Sequence, residues 1–367
     1  MRLREIDFLR GIAVILVLFR HYAFFAPLYR TGWIGVDLFF VLSGFLVSGL
    51  LFKEYQRFGN ISGGQFLIRR GFKIYPLFYC ALGITFFVEV FTGQSSTTTQ
   101  WIGELVFIQN YLANIWNHTW SLAVEEHFYL LLTLVIFLLA RFQILRKPKI
   151  ILTSFALILL LVLGMRFYAA HNSEITYMGN FFPTHLRIDS LLFGVVLSWV
   201  YHFRNKLFLA FFSRRKFLLF AVSAVLILPS VFLPVLDYWM ITIGFTGLYL
   251  GFGLLLGLFI ADKDINSKLN RLFTPIGVTL VAKVGYYSYS IYLFHMFVIR
   301  YIIEPLEISF PYRLEFFLYC FLSILIGILM TKLVELPFLK LRDKIVPRRA
   351  KVFTTLENDE KEVKVNP

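Results

Sequence analysis

Cysteine is scarce in this 367-residue chain, and charged residues are few. The two cysteines, Cys80 and Cys320, lie within apolar runs, so a disulfide framework is not indicated. Charged residues make up 16% of the chain, against roughly 25% in soluble domains. Hydrophobic residues supply 58%, aromatic residues 19%, and the mean hydropathy is +0.72. This composition argues against a soluble domain and indicates a protein embedded in a lipid bilayer.

Acidic residues are outnumbered: 22 Asp and Glu stand against 36 Lys and Arg, which gives a net charge of +14. No nucleic-acid partner is predicted, because the basic residues form short clusters between apolar runs, as in the cytoplasmic loops of membrane proteins. Lys and Arg are absent from 92–119 and 171–186, which are therefore predicted to be outer loops. The first apolar run lacks a small-residue cleavage site, so a signal peptide is not predicted.

Ten apolar runs are long enough to cross a bilayer as helices. They lie at about 7–26, 34–52, 72–91, 120–140, 150–170, 183–203, 216–236, 238–261, 286–304 and 313–339. Placing the basic clusters inside puts both termini in the cytoplasm of a cell-membrane protein. The predicted fold is all-α and polytopic, with about ten transmembrane helices in a domain over 1–340. The basic, mixed-charge tail over 341–367 is expected to be disordered.

The first run carries ionisable side chains on one helix face. Arg10 and His21 are eleven residues apart, which is three turns plus about 20°, and Asp7 lies within about 60° of Arg10. Ionisable groups are costly inside a bilayer and indicate function, although a polar stripe that only joins helices is the alternative. With the predicted orientation, Arg10 lies near the inner surface and His21 roughly 16 Å further out.

Polar residues of three other runs are predicted to lie at the depth of His21. They are Asp37, Glu125, Glu126, Arg187 and Asp189. A structural ion pair explains any one of them equally well. The small residues that follow Asp37, such as Gly44, are explained by close helix packing. Their convergence at one depth predicts a polar cavity that opens to the outside.

Basic residues mark the inner end of the third run. Arg69 and Lys73 are four residues apart and share a helix face, which presents fixed positive charge suited to phosphates. An ordinary cytoplasmic anchor would give the same pattern. In the ninth run, His295 follows a stretch rich in hydroxyl groups and is by itself more typical of a packing histidine. Glu335 ends the tenth run, where Lys332 or a loop arginine is expected to neutralise it.

Taken together, these motifs resemble the membrane-bound acyltransferase-3 family, whose members O-acylate cell-surface sugars and other acceptors. The resemblance covers nearly the whole chain and rests on seven motifs in the family's order. They are Asp7–Arg10–Gly11–His21, the segment Gly35–Phe45, Arg69-Arg70 with Lys73-Ile74-Tyr75-Pro76, Trp120-Ser121-Leu122 with Glu125, Arg187 with Asp189, Tyr287-Ser288 with Tyr292-Leu293 and His295, and Glu335 with Pro337. Lys73 stands where the family usually has Arg, and His127 where Gln is common.

The resemblance implies an acyl-CoA donor, most simply acetyl-CoA, bound from the cytoplasm. It also implies an acceptor hydroxyl on an extracytoplasmic glycan or lipid-linked sugar. His21 would be the general base and Arg10 its essential partner, with Asp37 or Glu125 orienting the imidazole. The donor would be bound by Arg69, Arg70, Lys73 and Tyr75, and the acceptor by Trp120, Ser121, Arg187, Asp189, Tyr289 and His295. No metal is expected.

Two alternatives are left open at this point. Some family members carry a fused extracytoplasmic domain, and without one the chain would complete the transfer itself or hand the acyl group to a separate protein. An acyl-histidine intermediate is compatible with either route. The competing function is a transporter or flippase of a lipid-linked sugar without covalent chemistry, for which inverted repeats would be evidence.

Overall fold

The computed structural model describes residues 3–306, 312–347 and 349. Within these ranges the chain is helical and has no β-strand, which confirms the predicted all-α class. The helices are α1 (Arg4–His21), α2 (Ala26–Thr31), α3 (Ile34–Phe58), α4 (Gly63–Thr92), α5 (Thr98–Leu105), α6 (Trp120–Arg141), α7 (Pro148–Asn172), α8 (Thr184–Phe203), α9 (Asn205–Arg214), α10 (Lys216–Ile227), α11 (Pro229–Phe232), α12 (Phe245–Ala261), α13 (Ile265–Phe273), α14 (Pro275–Tyr286), α15 (Ser288–Val298), α16 (Tyr312–Met330) and α17 (Leu336–Ile345). Of the predicted tail, 341–345 belong to α17, and 348 with 350–367 lie outside the described residues.

Seven helical segments of the described chain are long and apolar enough to cross a bilayer. An eighth is added if α9 and the segment formed by α10 and α11, which meet at 84°, are taken as one span. By these criteria of length and composition, fewer helices qualify in the described chain than the ten spans expected from the sequence. Charged side chains in α1, among them Arg4, Glu5 and Asp7, remove that helix from the set. Ser288–Ile303 is too short to be included.

Helix α3 is buried along most of its length and packs closely on α8. A methyl group on Gly44 would lie 1.9 Å from the carbonyl oxygen of Leu191, and one on Gly194 would lie 2.3 Å from that of Val41. A larger residue at either glycine would push the two helices apart. The close packing predicted for the small residues of this segment is thus confirmed at Gly44.

Helix α1 packs on α3 and on α14, and its residues Asp7 and Arg10 line a cavity to which α3 and α14 also contribute. A methyl group on Gly285 of α14 would lie 1.8 Å from the carbonyl oxygen of Asp7, so the crossing of α1 and α14 leaves no room there. Leu3 and Leu339 line the same cavity. The two ends of the described chain therefore lie at the same end of the helix bundle.

Two buried ion pairs join three helices in the core. Arg187 of α8 donates to Asp37 of α3 over 2.7 Å, and Arg166 of α7 donates to Asp189 of α8 over 2.5 Å. The guanidinium of Arg187 also lies over the ring of Phe245 in α12, 3.8 Å from its centroid. Because each charge is shielded from solvent, these pairs are costly to separate.

The loop between α5 and α6 is folded around a buried carboxylate. One oxygen of Glu104 accepts hydrogen bonds from the amides of Ile115 and Trp116, each at 3.2 Å, and from the hydroxyl of Thr119 at 2.9 Å. The other oxygen is buried and has no partner. Burial raises the pKa of Glu104 from its ordinary value of 4.5 to about 7. This carboxyl fixes the turn that carries His118.

Replacing Arg187 by Met is expected to destabilise the protein by about 3–5 kcal/mol, because it leaves the Asp37 carboxylate buried without its cation. The double variant Asp37→Asn/Arg187→Met should recover part of this loss. Unfolding of the natural protein, of the single variants Arg187→Met and Asp37→Asn and of the double variant in detergent micelles measures the coupling. Strictly additive losses would show that the two side chains do not depend on each other.

The Glu104 carboxyl should make stability depend on pH. Its folded-state pKa is raised, so the stability it contributes is complete below the unfolded pKa near 4.5 and is lost as pH rises through about 7. The loss is of the order of 3 kcal/mol. Glu104→Gln keeps an acceptor oxygen but cannot ionise. Thermal unfolding at pH 5 and pH 8 should show a larger decrease for the natural protein than for this variant. Glu174→Gln, at an exposed position, is the matched control and should behave as the natural protein.

Candidate active site

Three cavities follow one another along α1. The first, the lysine cavity, has a volume of about 460 Å³ and is lined by Asp7, Arg10, Lys53 and Lys73 among others. The second, the central cavity, measures about 110 Å³ and shares Arg10 and Lys73 with the first. The third, the histidine cavity, measures about 290 Å³.

The histidine cavity is lined by His21, and it shares Val36 and Tyr292 with the central cavity. The three cavities therefore form a series that runs along α1 from Asp7 to His21. Arg10 lies where the first two meet. The eleven-residue spacing of Arg10 and His21 corresponds to roughly 16 Å along the helix.

The central cavity contains a cation and a carboxylate in a shared network. Arg70 lies over the ring of Tyr129, 4.2 Å from its centroid, and the Tyr129 hydroxyl donates to Glu125 over 2.8 Å. The Ser43 hydroxyl donates to the other oxygen of Glu125, also over 2.8 Å. The Nε atom of Arg70 is buried and has no hydrogen-bond partner. Arg70 is thus held in place while part of its donor capacity is unused.

Lys73 makes an ion pair with Glu335 over 2.7 Å, and both side chains line the lysine cavity. The expectation that Lys332 or a loop arginine neutralises Glu335 is therefore wrong: the partner comes from α4, which packs on the helical turn that carries the glutamate. Arg10 donates to the Ser288 hydroxyl over 3.1 Å. Both contacts place cationic side chains beside the same space.

The basic motif of α4 is divided between two environments. Arg70 and Lys73 line the central cavity, three residues apart on one face of the helix. Arg69 instead donates to Asp343 over 2.8 Å and to the carbonyl of Val346, and it lines none of the three cavities. The pairing of Arg69 with Lys73 on one phosphate-binding face is not what the structure shows, because α17 packs on α4 and takes up Arg69.

Two tyrosines that the sequence assigns to binding are placed differently. Tyr289 lines the central cavity and donates to the carbonyl of Ile74 over 2.8 Å. Tyr75 donates to Glu126 over 2.9 Å and lines none of the three cavities. The structure thus places Tyr289 in the wall of the central cavity and leaves Tyr75 outside all three cavities.

Three histidines lie side by side at the far end of the series. The ring of His295 is 4.9 Å, centroid to centroid, from that of His21 and equally far from that of His118. His295 is fully buried, and its Nδ1 atom lies 2.5 Å from the carbonyl oxygen of Tyr292. The Tyr292 hydroxyl donates to the carbonyl of His118 over 2.6 Å and lies 2.6 Å from the Ser121 hydroxyl. This network links α15 to the start of α6.

His118 does not belong to any of the sequence motifs described above. It lies in the short turn Asn117–Thr119, directly before the Trp120-Ser121 motif. Its position immediately upstream of a polar motif was a usable signal, but its approach to His295 of α15 depends on tertiary packing. Nothing in the local sequence indicates that contact.

The carboxylates expected to orient His21 have other partners. Asp37 is paired with Arg187, and Glu125 accepts from Ser43 and Tyr129. Neither is hydrogen-bonded to His21 in the described structure. The ring of His295 packs beside it instead.

The predicted acceptor-binding residues are divided in the same way. Trp120 lines the histidine cavity and Ser121 the central one, whereas Arg187 and Asp189 are buried in the core ion pairs and line none of the three cavities. The polar residues expected at one depth therefore form two separate groups: a structural one in the core and one along the cavities. In the described part of the chain, no group of three or more His, Cys, Asp or Glu side chains is arranged to hold a metal ion.

The chain is similar to known proteins over most of its length. A family model described as an acyltransferase domain matches residues 3–332. The O-acetyltransferase OatA of Staphylococcus aureus is 30% identical over 317 residues, which are 79% of this chain and 49% of that protein. The peptidoglycan O-acetyltransferase OatA of Listeria monocytogenes is 27% identical over 365 residues, 92% of this chain and 56% of that protein.

The chain thus spans about half the length of these curated relatives. An uncharacterized protein of Haemophilus influenzae is 27% identical over 217 residues, 54% of this chain and 86% of that protein. No solved structure matches the chain. The extent of the family match, from the first described residue to beyond the end of α16, shows that the chain belongs to the acyltransferase-3 family.

Proposed function

We propose that the protein is a multi-pass membrane enzyme that transfers an acyl group, most simply acetyl, from acyl-CoA to a hydroxyl of an extracytoplasmic glycan or glycolipid. The observation that carries the proposal is the series of cavities along α1, with Arg10, Arg70 and Lys73 near one end and His21 at the other. An anionic donor and a neutral acceptor could meet inside this series. The family and the OatA relatives support acyl transfer to oxygen.

The lysine cavity is the proposed entrance for the donor. It is the largest of the three and is lined by Lys53 and Lys73. Coenzyme A phosphates are polyanions, and side-chain ammonium and guanidinium groups are their usual partners in proteins. The extended pantetheine arm would then follow the central cavity past Arg70 toward His21. In the proposed orientation this entrance faces the cytoplasm, and both termini lie on that side.

The chemical step is a direct transfer between the two substrates. The imidazole of His21 accepts the proton of the acceptor hydroxyl while the oxygen attacks the thioester carbonyl carbon. The C–S bond breaks as the C–O bond forms, and the coenzyme A sulfur takes up the proton from His21. His295, whose ring lies beside that of His21, is suited to hold the imidazole in place.

Replacing His21 by Ala is expected to lower acceptor-dependent coenzyme A release by at least about a hundredfold, because general-base catalysis by a positioned imidazole is worth that much. The measurement uses purified protein, acetyl-CoA and a thiol reagent. His171→Ala, at an exposed position at the end of α7, is the matched control and should retain full activity. Undiminished release by the His21 variant would refute the base assignment, and no release by the natural protein would favour a transporter.

The divided basic motif makes a second comparison possible. Arg70→Gln should weaken coenzyme A binding about tenfold, because it removes a cation that lines the central cavity. Arg69→Gln should have a much smaller effect, because Arg69 is bound to Asp343 outside the cavities. Titration calorimetry with coenzyme A in micelles measures both. Equal losses for the two variants would mean that the motif acts through the structure of α4 and not through contact with the donor.

A further inference from the structure

The histidine cavity has a cation in its wall. Arg20 lines this cavity beside His21, is half-buried, and belongs like His21 to the last turn of α1. Its guanidinium lies 5.4 Å from the centroid of the Tyr29 ring and donates to the Tyr29 carbonyl oxygen over 3.1 Å. It also donates to the Tyr177 hydroxyl over 3.2 Å. Both tyrosines line the same cavity, so the charged end of Arg20 lies within this wall.

No carboxylate balances the charge of Arg20. The described residues that line the histidine cavity include no Asp or Glu, and none of the ion pairs of the described chain contains Arg20. The buried arginines Arg166 and Arg187 differ, because each is paired with an aspartate. A guanidinium stays charged in proteins and has five N–H donors. A cation of this kind beside an open space is suited to an anionic ligand.

A structural role alone does not account for this charge. Arg20 joins α1 to the helical turn Tyr177–Phe181, and its two acceptors there are a neutral carbonyl and a neutral hydroxyl. An uncharged donor would serve the same purpose without the cost of desolvating a cation. The segments 92–119 and 171–186, which supply Asn117 and Tyr177 to the wall, contain no Lys or Arg. The positive charge is therefore a property of Arg20 and not of the surrounding loops.

The size and the remaining lining of the cavity suit one sugar ring. The rings of Trp120 and Phe182 are stacked at 5.2 Å, and Phe181 lies 4.9 Å from Trp120. A volume of about 290 Å³ is at the lower end of the usual range for small-molecule sites. The carbon-bound hydrogens of a sugar ring form an apolar face that can rest on aromatic walls.

We propose that the acceptor is an anionic sugar, and that Arg20 binds its carboxylate or phosphate while one of its hydroxyl groups lies at His21. Arg20 and His21 are consecutive residues, with Cα atoms about 3.8 Å apart, so one substituted ring can contact both. The N–H groups of Arg20 that Tyr29 and Tyr177 leave unused would bind the anion. The inference rests on the proposed function, and it refines the acceptor from a neutral molecule to an anionic one.

The first test measures sugar binding without turnover. Purified protein in micelles of a polyoxyethylene detergent, which carries neither sugar nor charge, is titrated with methyl glucuronide, glucose 1-phosphate and methyl glucoside under saturation-transfer NMR. At least one anionic sugar should bind about tenfold more tightly than the neutral glucoside. Preference for the glucuronide would identify a carboxylate as the recognised group, and preference for glucose 1-phosphate a phosphate. Equal affinities for all three sugars, or no binding of either anionic sugar, would overturn the inference.

Variants assign this preference to Arg20. Arg20→Gln keeps N–H donors but removes the charge, and it should lower the affinity for the anionic sugar about tenfold. Arg20→Lys should restore part of the affinity, since it restores the charge without the planar fork. Arg30→Gln is the matched control, because Arg30 is exposed on α2 and lines none of the three cavities. It should change the affinity less than about twofold. Equal losses for Arg20→Gln and Arg30→Gln would contradict direct binding.

Tyr177→Phe tests the purely structural role of Arg20. This variant removes the hydroxyl that Arg20 contacts and keeps the cation, so the preference for the anionic sugar should remain. A loss of preference as complete as that in Arg20→Gln would mean that Arg20 acts by holding the loop. Coenzyme A binding at the Arg70 end shows whether each variant is folded. Inorganic phosphate should compete only weakly, and competition as strong as that of glucose 1-phosphate would mean that the site holds an ion and not a sugar.

The second test separates the inference from the proposed function. In acetyl-CoA turnover with the preferred anionic sugar, Arg20→Gln should raise the acceptor KM about tenfold, with kcat within about twofold of the natural value. The KM for acetyl-CoA should not change. Equal use of methyl glucoside by the natural protein would overturn the inference and leave the proposed function standing. Binding that depends on Arg20 without any coenzyme A release would refute the proposed function and leave the anionic-sugar site standing.

Discussion

A guanidinium or carboxylate inside an apolar helix bundle must be paired, stacked on an aromatic ring or placed beside a solvated cavity, and this constraint organises the structure. Arg187 satisfies it twice, through Asp37 and through the face of Phe245. Arg70 satisfies it through Tyr129 while still lining a cavity. The same residue type therefore has two uses in one protein, and the difference lies in what surrounds the side chain.

Whether a charged side chain forms a structural pair or lines a cavity could be predicted from the sequence only in part. The helical class followed from composition, and the prominence of Arg10 and His21 from their spacing on α1, because both properties are local. Whether Asp37 pairs with Arg187 or with His21 depends on how α3, α8 and α1 pack against one another. No periodicity within a single helix contains that information. The prediction that all the polar residues lie at one depth therefore combined two groups, the core ion pairs of Asp37, Arg187 and Asp189 and the residues that line the cavities.

The count of membrane-crossing helices also shows that local sequence properties do not reveal tertiary contacts. Hydropathy treats every charged residue as a cost, so α1 fails the test that α3 passes. Yet α1 lies beside all three cavities, and Asp7, Arg10, Arg20 and His21 contribute polar side chains to their walls. Likewise, the carboxyl of Glu104 is remote from His21 in sequence but shapes the turn that brings His118 to His295. The roles of Glu104 and of the charged residues of α1 become visible only in their contacts within the folded structure.

The ion pair between Lys73 and Glu335 has a consequence for the empty protein. In the absence of an anionic donor, Glu335 acts as a resident counterion, so the ammonium group is neutralised without taking up a small anion from solution. In the proposed reaction, a donor phosphate that replaces this carboxylate on Lys73 would exchange one anion for another and leave the charge around the lysine balanced. The carboxylate belongs to the turn between α16 and α17. Such an exchange of counterions would link occupancy of the cavity to the last helix of the described chain.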